Sequence, residues 1–83
     1  MYYLIVYSSV TFANRIKNHF QNDGDYIVVL HTPAGLSEGG CSYSVKVKPA
    51  KVGQVLRASG EYGFKIKGVF RQTEEGAYAE VTL

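Results

Sequence analysis

The chain's one cysteine, Cys41, stands behind a glycine pair in the segment Thr32-Pro33-Ala34-Gly35-Leu36-Ser37-Glu38-Gly39-Gly40-Cys41-Ser42-Tyr43. A structural cysteine usually sits in an apolar run and behaves as a small hydrophobe. This one sits in a polar, turn-forming stretch. Gly39 and Gly40 reach positive φ at little steric cost, so successive N–H groups can turn inward and form an anion-binding concavity. A thiolate held in such a place has a lowered pKa and is a good nucleophile. The competing reading is a hairpin loop whose cysteine merely opens the next strand, and a lone cysteine does not decide between the two.

Several other chemistries lack the residues they need. A metal site takes about four ligands of suitable type, and Cys41 with His31 supplies only a pair, so neither a metal nor any other cofactor is expected. A Cys-x-x-Cys redox couple cannot form with one cysteine, and no glycine-rich loop has the Walker or dinucleotide-binding spacing. Cysteine hydrolase chemistry would pair His31 with the thiol and add a third, orienting group. No orienter is evident, and a solvated histidine at a strand end is the plainer account of His31. His19 reads as a surface residue of the first helix.

Positioning falls to a single domain, residues 1–83, of a size that builds a modest core. Apolar content of 46% and charged content of 19% are ordinary for a globular chain. A net charge of +2 is too small to argue for nucleic acid or membrane binding. No apolar run approaches the roughly 18 residues that span a bilayer. Tyr2 to Tyr7 is short, lacks a basic leader and runs into Ser8-Ser9, which is not the pattern of a signal peptide. The expected setting is a reducing cytoplasm.

Tyr2 to Tyr7 is β-branched and aromatic and reads as a central strand. Ser8 or Ser9 caps a helix, with Val10, Ala13, Ile16 and Phe20 as its buried stripe and Asn14, Arg15, Asn18 and Gln21 on its wet face. Asn22-Asp23-Gly24-Asp25 ends that helix. Tyr26 to His31 is a second strand. In the third, Cys41, Tyr43, Val45 and Val47 alternate with Ser42, Ser44, Lys46 and Lys48. Pro49 opens a second helix, with Val52, Val55, Leu56 and Ser59 facing inward and Gly60 and Gly63 at its exit. Phe64, Ile66, Gly68 and Phe70 alternate with Lys65, Lys67 and Val69 in a fourth strand, where Gly68 marks a candidate bulge. Glu74-Glu75-Gly76 turns the chain into an edge strand from Ala77 to Leu83.

The expected fold class is therefore α+β: a ferredoxin-like split βαββαβ, with an antiparallel sheet of order 4-1-3-2, two helices on one face, and an additional C-terminal edge strand outside the fourth. This topology brings the loop between strands two and three to the end of the sheet that holds the first helix's N-terminus. Cys41, Gly39, Gly40 and Ser42 are then expected near Ser8, Ser9, Thr32 and His31, with Tyr62 reaching the same end. A helix N-terminus favours nearby anions, a thiolate among them. On the open sheet face, Tyr3, Ile5 and Tyr7 are expected beside Lys46, Lys48, Lys65 and Lys67. RNA-binding sheets put stacking aromatics on the third strand too, where this chain has Ser44, Lys46 and Lys48, so nucleic acid is not the expected partner.

Ser9-Val10-Thr11-Phe12-Ala13 after the first strand, Thr32-Pro33-x-x-Leu36, and Gly40-Cys41-Ser42-Tyr43-Ser44-Val45 together resemble the small bacterial selenium/sulfur carrier protein-like family, long known only as a domain of unknown function. The likeness is close over residues 1 to about 48 and looser beyond. It implies a non-enzymatic carrier that holds a persulfide or perselenide on Cys41 between a cysteine desulfurase-like donor and an acceptor enzyme. By the same likeness Gly40 flanks the carrier thiol, and Thr32 and Pro33 shape its loop. Ser42 departs from the glycine that many members carry. The other reading is a binding or oligomerisation module that uses the open sheet face and the edge strand, with Cys41 incidental.

Overall fold

The computed structural model describes residues 2–21, 27–32 and 42–81. Among them the chain forms β1 (Tyr3–Tyr7), α1 (Val10–Gln21), β2 (Val28–His31), β3 (Tyr43–Val47), a short 3-10 turn at Pro49–Lys51, α2 (Val52–Tyr62), β4 (Ile66–Gln72) and β5 (Tyr78–Glu80). The fold is α+β. Every strand pair is antiparallel, and the five strands lie in the order β2-β3-β1-β4-β5. From the β5 edge this reads 5-4-1-3-2, with β1 at the centre. The stop of α1 at residues 22–25 and the place of Tyr26 lie outside the described residues.

Ser9, rather than Ser8, caps α1. Its Oγ accepts from the Thr11 N–H at 3.1 Å and its carbonyl from the Ala13 N–H at 3.3 Å, which satisfies donors that the first helical turn otherwise leaves open. Ala13, Ile16 and Phe20 are buried, but Val10 is 39% exposed. At 3.6 residues per turn, position 10 lies roughly a quarter turn from the centre of that stripe, so Val10 does not belong to it.

Pro49 opens the 3-10 turn, and α2 begins only at Val52. The buried residues of α2 are Val52, Val55, Ala58 and Ser59, with Leu56 half-buried beside them. Gly60 is inside the helix, and Gly63 alone ends it, at φ 76°. The Gly63 N–H donates to the Gly60 carbonyl at 3.1 Å and the Phe64 N–H to the Ser59 carbonyl at 2.9 Å. This paired closure requires the left-handed backbone that glycine adopts without a Cβ clash.

Both helices pack into one cluster with a single face of the sheet: Ala13, Ile16 and Phe20 from α1, Val52, Val55 and Ala58 from α2, and Ile5, Tyr7, Val45, Val47 and Val69 from the strands. Leu4, Val6 and Phe70 form a second cluster on the opposite face, where no described helix packs, with Leu30 and Tyr78 against them. This reverses the expected placement of β1. Ile5 and Tyr7 are fully buried on the helix side and Tyr3 packs there, while Leu4 and Val6 face away. Because β1 is buried on both sides, its sequence has no polar alternation from which the phase could be read.

The fourth strand is also out of strict phase. Val6 pairs with Gly68 and Tyr7 with Ile66, which leaves Lys67 without a β1 partner. This extra residue is a bulge. It lets Ile66 and Val69 both pack toward the helices while Phe70 turns to the other face, so Phe64, Ile66 and Phe70 do not share a side. Past β4, the Gly76 N–H donates to the Thr73 carbonyl and the Thr73 N–H to the Ala77 carbonyl, with Gly76 at φ 83°. β5 is a short edge of Tyr78–Glu80 against β4; Ala77 and Val81 of the expected 77–83 stand outside it, and residues 82–83 lie outside the described residues.

Candidate functional site

Tyr7 ends β1 and lies across from Tyr43, which opens β3; Tyr43 in turn lies across from His31, which ends β2. These three strand ends define one rim. Ser8 and Ser9 follow Tyr7, Thr32 follows His31 and Ser42 precedes Tyr43. The rim thus assembles Ser8, Ser9, His31, Thr32 and Ser42 from three separate stretches of chain. Cys41, Gly39, Gly40 and Pro33 lie outside the described residues.

The two ends of the segment that carries Cys41 are tied together. The Thr32 N–H donates to the Ser42 carbonyl at 3.1 Å, and Thr32 Oγ1 lies 2.8 Å from Ser44 Oγ. Ser44 is fully buried, between Val6 on β1 and Leu30 on β2. A hydroxyl in such surroundings is costly unless it is paired, and Thr32 supplies the partner. Ser42 is only 2% exposed. His31 is exposed, with its ring centroid 4.5 Å from that of Tyr43. The Ser9 hydroxyl is engaged by the Thr11 amide, so what α1 offers at this rim is its remaining first-turn amides and its dipole.

Beneath the rim on the helix side lies a group that the strand pattern concealed. The Tyr7 hydroxyl is 2.5 Å from Ser59 Oγ, and Ser59 Oγ donates to the Val55 carbonyl at 2.9 Å. Ser59 has a single proton and spends it on Val55, so the Tyr7 hydroxyl is the donor to Ser59. Burial pushes the Tyr7 hydroxyl up from 10.0 to about 12. Tyr7 stays a neutral phenol and pins β1 to α2.

The exit of α2 reaches the same end, since Ile66 pairs with Tyr7. Helical side chains lean toward the helix N-terminus, and the Tyr62 ring runs back along α1, where its hydroxyl is 2.8 Å from His19 Nδ1. Phe64 stacks between Tyr62 and Phe12, with ring centroids 5.1 and 4.4 Å away, and the Arg15 guanidinium sits 5.7 Å from the centre of the Tyr62 ring. His19 is exposed, as its sequence position suggested, yet it has a specific partner.

On the helix-free face, Lys46 lies over the Tyr2 ring at 4.4 Å. With Tyr3 and Tyr7 turned toward the helices, the expected row of open-face tyrosines on β1 is absent. No group of three or more His, Cys, Asp or Glu residues that could hold a metal occurs among the described residues. No described helix is long and apolar enough to cross a membrane.

A family model described as putative Se/S carrier protein-like matches residues 2–71, a span that includes Cys41 and every rim residue named above. No curated protein and no solved structure matches the chain.

Proposed function

The chain belongs to the Se/S carrier protein-like family, and from that premise we propose that it carries sulfur or selenium on Cys41 as a persulfide or perselenide. The observation that carries this reading is the family match across the chain's single thiol. A carrier of this kind works with protein partners: a cysteine desulfurase-like donor and an acceptor enzyme. The Cys41 thiolate attacks the terminal sulfur of the donor's persulfide. A new S–S bond forms at Cys41, the donor's S–S bond breaks, and the donor leaves as a thiolate. The acceptor's nucleophile then takes the terminal sulfur and Cys41 departs as a thiolate, so that neither transfer involves net oxidation or reduction. Selenium follows the same path.

The features that support this reading lie around the loop. Thr32 and Ser42 close its base, and the rim they share holds the start of α1, whose dipole favours an anion. Gly39, Gly40, Ser8, Ser9, Ser42 and His31 are the proposed surroundings of the thiol. The ferredoxin-like assignment of the fold belongs to the same proposal and is supported by the antiparallel order and by the two helical connections.

Alkylation of Cys41 followed against pH tests the reading directly. The expected thiol pKa is below the ordinary value of about 8.5. After incubation with a desulfurase and cysteine, intact-mass measurement is expected to show one added sulfur on the wild type and none on Cys41→Ala. A slow thiol with an unshifted titration and no added mass would sink the proposal.

A further inference from the structure

Between α1 and α2 lies a cleft of about 240 Å³ lined by His19, Phe20, Gln54, Arg57, Ala58 and Glu61. Its α2 wall follows from spacing: positions 54, 57, 58 and 61 recur at three and four residues and share one helical face. Its floor is apolar, with Phe20 and Ala58 buried to 4% and 5% exposure. Ala58 is the small residue that leaves the space open. Its rim carries both signs of charge. Arg57 and Glu61 stand one turn apart on α2, yet neither forms an ion pair, hydrogen bond or ring contact with any described residue.

We propose that this cleft binds a small zwitterion, an α-amino acid with a short aliphatic side chain. Arg57 and Glu61 start about 5–6 Å apart at their Cβ atoms, a span that a ligand's neighbouring carboxylate and ammonium groups bridge. Arg57 takes the carboxylate through its planar fork of donors. Glu61 takes the ammonium. Gln54, whose amide oxygen accepts from Lys51 Nζ at 3.5 Å, and the His19 ring, held through Nδ1 by the Tyr62 hydroxyl, complete the lining. The aliphatic side chain lies on Phe20 and Ala58. A dianion such as phosphate meets Glu61, a simple cation meets Arg57, and an apolar ligand strips water from both charges without replacing it. The volume lies below the roughly 300 Å³ at which sites for larger ligands begin, which excludes a nucleotide. This site is separate from Cys41 and does not depend on the carrier reading.

The test is a titration of the full-length, nitrogen-15-labelled chain with L-leucine, 4-methylpentanoate and 3-methylbutylamine, followed by amide chemical shifts. The expected result is a saturable shift of the amides of His19, Phe20 and residues 54–61 with L-leucine, at a Kd on the order of 1 mM. The carboxylate-only and amine-only probes are expected to bind about tenfold more weakly, because each leaves one charged hydrogen bond unmade. Arg57→Gln and Glu61→Gln, both at exposed positions, are each expected to weaken L-leucine about tenfold. Cys41→Ala is expected to leave it unchanged. Equal binding of L-leucine and 4-methylpentanoate, shifts that stay linear through about 50 mM, or indifference to Glu61→Gln would overturn the proposal.

Discussion

The two faces of β1 are buried to the same degree by different means. On one face, Ile5 and Tyr7 are sealed by two helices that meet over them. On the other, Leu4 and Val6 are only 1% exposed although no described helix packs there; Phe70, Leu30 and Tyr78 of neighbouring strands pack against them. Among the described residues each face also has a hydroxyl pair, Tyr7 with Ser59 buried on the helix side and Thr32 with Ser44 part-buried on the other. A layer of helices holds its shape when one side chain is cut back. A cover of strand side chains can sink into the space instead. Equal burial therefore does not mean equal energetic weight.

The largest test of that difference is a pair of truncations. Ile5→Ala is expected to cost about 3–5 kcal/mol, since the helices cannot close the cavity, whereas Leu4→Ala falls near the lower end of such substitutions, about 2–3 kcal/mol, as Phe70 and its neighbours settle inward. Urea unfolding of both variants measures this directly. A Leu4→Ala cost equal to or above that of Ile5→Ala would show that the helix-free face is as rigid as the other.

The next test is specific to the helix side. Tyr7 has a folded pKa of about 12 against an ordinary 10.0. With the folded value raised, the stability it contributes is whole below pH 10 and is lost as pH rises toward 12, by roughly 3 kcal/mol across that window. Lysines titrate in the same range, so the informative quantity is the difference between wild type and Tyr7→Phe. The wild type is expected to lose stability more steeply above pH 10. Parallel pH profiles would mean that the Tyr7 hydroxyl is solvated.

The smallest contrast compares the hydroxyl pairs. Ser59→Ala leaves the buried Tyr7 hydroxyl with no acceptor, at an expected cost of about 1–3 kcal/mol, and adding Tyr7→Phe should recover much of it. Ser44→Ala strands only Thr32, which is half-buried and can turn to water, so its cost is expected at about 1 kcal/mol or less. Thermal unfolding of the three variants checks the order. A Ser44→Ala effect larger than that of Ser59→Ala would reverse the ranking of the two faces.

This contrast also explains which parts of the fold could be read from the chain. β3 shows its phase because Ser44 and Lys46 alternate with Val45 and Val47, and α1 shows its stripe through Ala13, Ile16 and Phe20. β1 is apolar at every position, so which of Tyr7 and Val6 meets the helices is settled only by tertiary packing. Ser59 is legible as an inward residue, but its partner is not, because the strand pattern alone puts Tyr7 on the opposite face. Ala58 outranks Leu56 in burial: it belongs to the core cluster, against which Leu56 packs half-buried. At the rim, the nearness of Ser8, Ser9, His31, Thr32 and Ser42 follows from strand order alone. The Thr32–Ser44 contact does not, because it depends on register between β2 and β3.

The bulge at Lys67 bears on how this chain tolerates change in length. Gly68–Gln72 and Phe64–Ile66 meet the sheet in opposite phase, joined by one residue that acts as a spacer. Replacing Lys67 with another side chain leaves that frame intact, since the position faces no partner on β1. Removing it would join Ile66 directly to Gly68 in a regular ladder, with Ile66 still opposite Tyr7 on the helix side. At this position the ladder accommodates either count of residues, and the extra one adds local bend and twist to the strand.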